Sequence, residues 1–195
     1  IFTDNKWYYA SPSGALASGW QFIGGQWYWF DSLNSCSMAT GRRVIDGHPY
    51  LLGAYGLING WCLDNGLWYW GCNGEVLTGW LQADNSWYWL DPANDGAMSR
   101  GIVSVGSSRY YLSDSGAMVV GWAFDGTDWY YADGSGALAS GWRSVNGAWY
   151  WLDVANDNRM VTGFYVIGSN RYHFSSTGAL SLGWFMSDGD WYYAE

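Results

Sequence analysis

The stretch GWRSVNGAWYWLD, residues 141–153, places three tryptophans and a tyrosine in thirteen positions. A Gly-Trp start, a central Asn-Gly and an aromatic run read as two short strands joined by a tight turn, since Asn-Gly accepts the positive φ that a hairpin turn requires. Side chains alternate along a strand, so Trp149 and Trp151 share one face and Tyr150 points to the other. A lone hairpin is not stable in water. This segment must therefore stack on other copies of itself.

Copies fill the chain. Gly followed by Trp, or by a substitute, recurs at positions 19/20, 41/42, 60/61, 79/80, 101/102, 121/122, 141/142, 163/164 and 183/184, with intervals of 22, 19, 19, 22, 20, 20, 22 and 20 residues. Aromatic triplets follow, WYW at 27–29, 68–70, 87–89 and 149–151, and WYY at 7–9, 129–131 and 191–193. All 17 tryptophans occupy one of these two places. The fold this predicts is all-β, a solenoid of stacked hairpins of about 20 residues with Trp and Tyr layers as its core and almost no helix. One module should span residues 1–195, as about nine units with partial units at both ends.

A longer period lies on top of the first. The 22-residue units at Gly19, Gly79 and Gly141 carry the extended loops DSLNSCSM (31–38), DPANDGAM (91–98) and DVANDNRM (153–160). Each following unit has lost both defining tryptophans: Arg42 with Pro49, Ile102 with Arg109, Phe164 with Arg171. A pattern repeating every three hairpins implies about three hairpins per superhelical turn.

Composition excludes several functions. Lys+Arg 8 against Asp+Glu 17 gives a net charge of −9, the wrong sign for a phosphate backbone or an anionic membrane surface. No run approaches the ~18 apolar residues of a membrane span, so neither nucleic-acid binding nor membrane insertion is expected. The opening IFTDNKWYYA lacks the basic start and apolar run of a signal peptide. Cys36, Cys62 and Cys72 are odd in number and match no zinc spacing, so the fold should not depend on them and their removal should cost little. No Gly-x-Ser-x-Gly, His-Glu-x-x-His or phosphate loop is present, and turn carboxylates offer no shared pocket. A catalytic site is not expected, and His48 and His173 stand apart in degenerate units. The acidic loops lack the ligand spacing of an EF-hand, and Asp and Asn are also what turns require. Neither a metal nor a cofactor is expected.

TGWLQADNSWYWLDPANDGAMSRG (78–101) and SGWRSVNGAWYWLD (140–153) resemble the choline-binding, or cell-wall-binding, repeats of Gram-positive surface proteins. The resemblance covers the whole chain. It implies a left-handed superhelix of hairpins and ligand sites between successive hairpins, in which the Gly-Trp tryptophan and the first triplet tryptophan join an aromatic of the next hairpin, with a Met or similar residue completing a box. Carried over by position, the pairs are Trp20/Trp27, Trp61/Trp68, Trp80/Trp87, Trp122/Trp129, Trp142/Trp149 and Trp184/Trp191. The third aromatic would be Tyr50 for the first pair, Trp87 or Trp89 for the second, Tyr110 or Tyr111 for the third, Trp149 or Trp151 for the fourth and Tyr172 for the fifth. Met38, Met98, Met118 and Met160 stand at the Gly-x-Met position. The resemblance further implies a secreted, wall-associated module of a longer surface protein whose partner is choline-bearing teichoic acid or a cell-surface polysaccharide.

Physical chemistry keeps three readings open. A quaternary ammonium donates no hydrogen bonds, so attraction to ring faces is its main specific handle, worth about 0.5–2 kcal/mol per contact. Glucan-binding repeats look similar, and a flat indole also suits the C–H face of a pyranose. A spacer or adhesin stalk would use the same rings as core only. The middle tyrosines, such as Tyr28, Tyr88 and Tyr150, read as core. Arg109 and Arg171, at the first triplet position, either fill their box from inside or lie exposed on a decayed site.

Overall fold

The computed structural model describes all residues, 1–195. The chain forms two compact units, Ile1–Ser99 and Arg100–Glu195. Each is a succession of antiparallel hairpins with no α-helix. In the first unit the full hairpins pair Gly19–Ile23 with Gln26–Asp31, Gly41–Ile45 with His48–Gly53, Gly60–Asp64 with Leu67–Cys72, and Gly79–Ala83 with Ser86–Asp91. A shorter pair, Phe2–Thr3 with Lys6–Trp7, precedes them. In the second unit the hairpins begin at Gly101, Gly121, Gly141, Gly163 and Gly183.

The turn chemistry is as the sequence demands. Asn146 and Gly147 both take positive φ, 50° and 84°, the mirror-image turn whose twist matches its flanking strands. Trp142 then lies opposite Trp151, and Val145 opposite Ala148. The three long loops each begin with a single 3₁₀ turn, Ser32–Asn34, Pro92–Asn94 and Val154–Asn156. The carboxylates of Asp31, Asp91 and Asp153 accept from the backbone N–H of Leu33, Ala93 and Ala155, capping these turns.

The core differs from the expected tryptophan layers. Its spine is the residue that closes the second strand opposite the opening glycine: Phe30, Leu52 and Leu90 in the first unit, and Leu112, Ala132, Leu152 and Phe174 in the second, all 0–3% exposed. Each is bridged in turn by a Met or Leu of the next linker, as in Leu90 with Met98, Leu112 with Met118, Leu152 with Met160 and Phe174 with Leu180. The first triplet tryptophans stay half in water: Trp27, Trp87, Trp129 and Trp149 are 41–48% exposed. An indole is too large to repeat every 20 residues inside so thin a stack, whereas one aliphatic or Phe side chain per hairpin fills it.

Neighbouring hairpins are also tied through the backbone. Leu138 N–H donates to the Arg109 carbonyl and Leu180 N–H to that of Trp149. In the first unit Glu75–Val76 pairs with both Leu67–Cys72 and His48–Gly53, joining two hairpins into one six-stranded sheet.

Candidate functional site

The Gly121 hairpin shows how a site is assembled. Gly121 takes a φ of 87°, a region that penalises any Cβ, and so launches the strand with Trp122 on its outer face. Register places Trp122 opposite Tyr131, and Phe124 opposite Trp129. Trp122 and Trp129 are therefore diagonal neighbours on one face, within reach of each other as large aromatics. Their centroids lie 6.3 Å apart at 85°. Tyr130, on the other face, is buried among Ala123, Ala132 and Leu138.

The third wall comes from the next hairpin, and it is Tyr150. Its ring lies 4.7 Å from that of Trp122 at 68°. This corrects the expectation of Trp149 or Trp151. One hairpin's tryptophan face packs against the tyrosine face of its successor, and alternation turns Trp149 and Trp151 away towards the following box. Together Trp122, Trp129, Tyr150 and Met160 line an open cavity of about 390 Å³ with Ser176 and Thr177 at its edge, within the size range of small-ligand sites.

The geometry repeats closely. Trp20 and Trp27 lie 6.5 Å apart at 89°, with Tyr50 5.0 Å from Trp20. Trp61 and Trp68 lie 6.4 Å apart at 87°, with Tyr88 4.9 Å from Trp61. Trp142 and Trp149 lie 6.3 Å apart at 84°, with Tyr172 5.1 Å from Trp142. Trp80 and Trp87 form the same pair, 6.4 Å apart at 87°. So Tyr50 and Tyr172 stand where the resemblance placed them. Tyr88 replaces Trp87 or Trp89, and the middle tyrosines expected as core are half-buried walls of the boxes at Tyr88 and Tyr150. Near the N-terminus Trp7, Tyr28, Met38 and Ala54 line a further cavity of about 310 Å³ with the same repeat positions.

Other candidates are placed differently. Tyr111 stacks on Tyr130 at 6.4 Å and 16°, and its hydroxyl donates to the Phe124 carbonyl; it belongs to an apolar cluster with Ile102 and Val119. The middle position of its strand, equivalent to Tyr150, is held by Tyr110, opposite Val103. Met118 lies against Gly136 and Met160 against Gly178, where an added Cβ would overlap the thioether. Met98 pairs with Leu90 in the register that Met160 uses with Leu152. Trp184 and Trp191 are largely exposed.

The degenerate units hold their arginines in different ways. The Arg171 guanidinium lies 4.0 Å over the Phe164 ring, and Tyr192 approaches the same ring at 5.0 Å, so this box is filled from inside. Arg109 instead pairs with Asp157 at 3.1 Å, and Ile102 takes the aromatic place beside Tyr130. Arg42 sits 5.8 Å over the Tyr69 ring and pairs with Asp95 at 3.3 Å. His173 stacks on Phe185 at 4.2 Å and bonds the Ser181 hydroxyl through Nδ1, while His48 is exposed beside a turn.

Electrostatics shape the turn that aims Trp129. The Asp125 carboxylate accepts from the backbone N–H of Asp128 and Thr127 and from the Tyr130 hydroxyl. The Asp128 N–H leads these in holding its pKa below the ordinary value. Burial, and then the bond to Asp125, push the Tyr130 hydroxyl up. No group of three or more His, Cys, Asp or Glu side chains is arranged to hold a metal ion.

The choline-binding repeat family model matches residues 17–55, and the putative cell wall binding repeat model matches residues 1–16, 78–98, 120–138, 140–154 and 183–195. The chain belongs to the choline-binding, cell-wall-binding repeat family. Among solved structures it is similar to CbpJ from Streptococcus pneumoniae TIGR4, at 27% identity over 100% of this chain and 90% of that one, TM-score 0.65. It is also similar to choline binding protein F from Streptococcus pneumoniae, solved in the presence of a tetrasaccharide-pentapeptide peptidoglycan analogue, at 29% identity over 97% and 74% of the two chains, TM-score 0.77. A third similar structure is CbpF in complex with ipratropium, at 25% identity over 98% and 83%, TM-score 0.64. Comparison with curated protein sequences found no match. The choline-binding repeats thus account for the hairpins, the Gly-Trp and triplet tryptophans, and the Gly-x-Met position together.

Proposed function

We propose that this chain is a non-catalytic module that holds a secreted parent protein on a bacterial wall by binding choline groups of teichoic acid in its aromatic boxes. One observation carries the reading: the open cavity bounded by Trp122, Trp129, Tyr150 and Met160, with its ring geometry repeated at Trp20, Trp61 and Trp142. Rings that served only as core would leave no space between them, whereas these border a cavity large enough for a trimethylammonium head, and Trp129 stays half exposed. Such a head is held by ring faces without hydrogen bonds. The thioether of Met160 supplies a soft apolar wall. The net charge of −9 favours a cation over an anion. Ipratropium, found with CbpF, is itself a quaternary ammonium. Several boxes on one scaffold act together on a polymer, so each can be individually weak.

Titration of tryptophan fluorescence with choline, and separately with a soluble α-glucan, tests this. Saturable change with millimolar choline and none with glucan is expected. Trp122→Ala with Trp129→Ala should remove one site and leave the others. Response to glucan alone moves the ligand to carbohydrate; response to neither makes the module a spacer or adhesin stalk.

A further inference from the structure

The box at Trp122 has a feature that the boxes at Trp20 and Trp61 lack. Asp128 directly precedes Trp129, and Arg159 directly precedes Met160. The two side chains form an ion pair at 3.4 Å between Arg159 Nη1 and Asp128 Oδ2, with each about a third exposed. It joins the turn of one hairpin to the linker that follows the next, so it links the two elements that bring Trp129 and Met160 to the cavity lining. The position equivalent to 159 is Gly56 for the box at Trp20, opposite Gly53, and Ala97 for the box at Trp61, opposite Asp91. The positions equivalent to 128 hold Gln26 and Leu67, so neither of those boxes can form this pair.

The pair is anchored on both sides. Arg159 Nη2 reaches Asp157 at 3.9 Å, and Asp157 is held in turn by Arg109 at 3.1 Å. Arg109 also reaches Asn158, whose amide donates to the Ala139 carbonyl from a buried position. On the other side the turn carrying Asp128 is fixed by its backbone bond to Asp125. The degenerate Gly101 unit, which has no aromatic pair of its own, thereby supplies the arginine that steadies the loop behind a working box.

We propose that Asp128 and Arg159 are positioning residues for the Trp122/Trp129/Tyr150/Met160 box, setting the separation of Trp129 from Met160 without touching the ligand. The inference rests on the reading of that box as a quaternary-ammonium site. Two explanations predict opposite signs. If the charges acted directly on a bound cation, Asp128→Asn would weaken binding and Arg159→Gln, which removes a neighbouring positive charge, would strengthen it. If the pair acts as a strut, both substitutions weaken binding by similar factors, and the swap Asp128→Arg with Arg159→Asp restores it.

The methionines allow each box to be read separately. The whole chain is labelled with ¹³C-methyl methionine and titrated with choline by NMR; Met160 reports this box and Met98 the box at Trp61. A loss of about two- to fivefold in affinity at Met160 for each single variant is expected, the scale of one partly exposed ion pair. Met98 should be unchanged, and the swapped pair should recover most of the loss. Strengthening in Arg159→Gln, no change at Met160 in either variant, or failure of the swap to restore binding overturns the inference while the choline reading stands. If no methionine methyl responds to choline in the unaltered protein, the choline reading falls and this inference falls with it.

Discussion

Gly178→Ala, set against Gly147→Ala, separates the two things a glycine does in this fold. Both residues have positive φ, 79° and 84°, so an alanine at either place carries a similar backbone strain of ~1–2 kcal/mol. Their surroundings differ. Nothing lies within 4 Å of a Cβ at Gly147, whereas at Gly178 it would sit 2.8 Å from Met160 Cγ and closer still to the sulfur. Methionine is flexible and gives way rather than forcing the backbone apart, which puts the added cost near the low end of the overpacking range, ~1–2 kcal/mol. For a chain of this size ~1 kcal/mol moves Tm by about 2–4 °C. Gly178→Ala should therefore melt roughly 2–8 °C below Gly147→Ala, followed by aromatic circular dichroism. The displaced thioether should also leave the cavity, so the Met160 methyl resonance shifts before any ligand is added and the choline response at that box weakens. Equal melting temperatures for the two variants, with Met160 unmoved, would refute the claim that this linker methionine is seated by the glycine of the next linker.

The spine can be tested against the tryptophans: Leu152→Ala should cost ~2–5 kcal/mol in urea unfolding, and half-exposed Trp149→Ala clearly less; the reverse order would return the core to the indoles. Cys62, packed with Leu51, Tyr69 and Ala97, departs from the expectation that cysteine removal is cheap. Cys62→Ser buries a hydroxyl there and should cost ~1–2 kcal/mol, while exposed Cys72→Ser should not register. Burial first, and then the Asp64 carboxylate, raise the Cys62 pKa above 9.0, so the folded state holds this proton more tightly than the unfolded one. Its stabilising share is complete below about pH 9 and declines as pH rises through the folded value; Cys62→Ala should flatten that alkaline decline in pH-dependent melting. The Asp125 and Asp133 carboxylates are held below their ordinary 3.8, chiefly by the Asp128 N–H and the Ser135 hydroxyl. Their share is present above about pH 4 and lost as pH falls through the folded values, so Asp125→Asn should reduce the acid sensitivity of Tm.

What was legible in the sequence follows from which physical relation each feature depends on. Period, hairpin and all-β class depend on contacts within about 20 residues, and the Gly-Trp, Asn-Gly and triplet positions carry all of them. The opposite direction of Tyr150 was legible too, from alternation alone. Which face of one hairpin meets which face of the next was not, because it depends on how copies stack, and so Trp149 stood where Tyr150 belongs. The spine was hidden by size: Leu152 is smaller than its aromatic neighbours, and its burial comes from lying opposite Gly141, which has no side chain to hold it out of the stack. Arg109 and Arg171 occupy one repeat position yet behave differently, and the cause is the residue at the Gly-Trp place. Phe164 offers a ring face to Arg171; Ile102 offers none, so Arg109 turns to Asp157, 48 residues further on. In the two such units that carry an arginine at the triplet place, those at Gly101 and Gly163, loss of the tryptophans thus has two outcomes. Where an aromatic remains, the arginine closes the box; where it does not, the arginine is released to brace the loop behind the next open one.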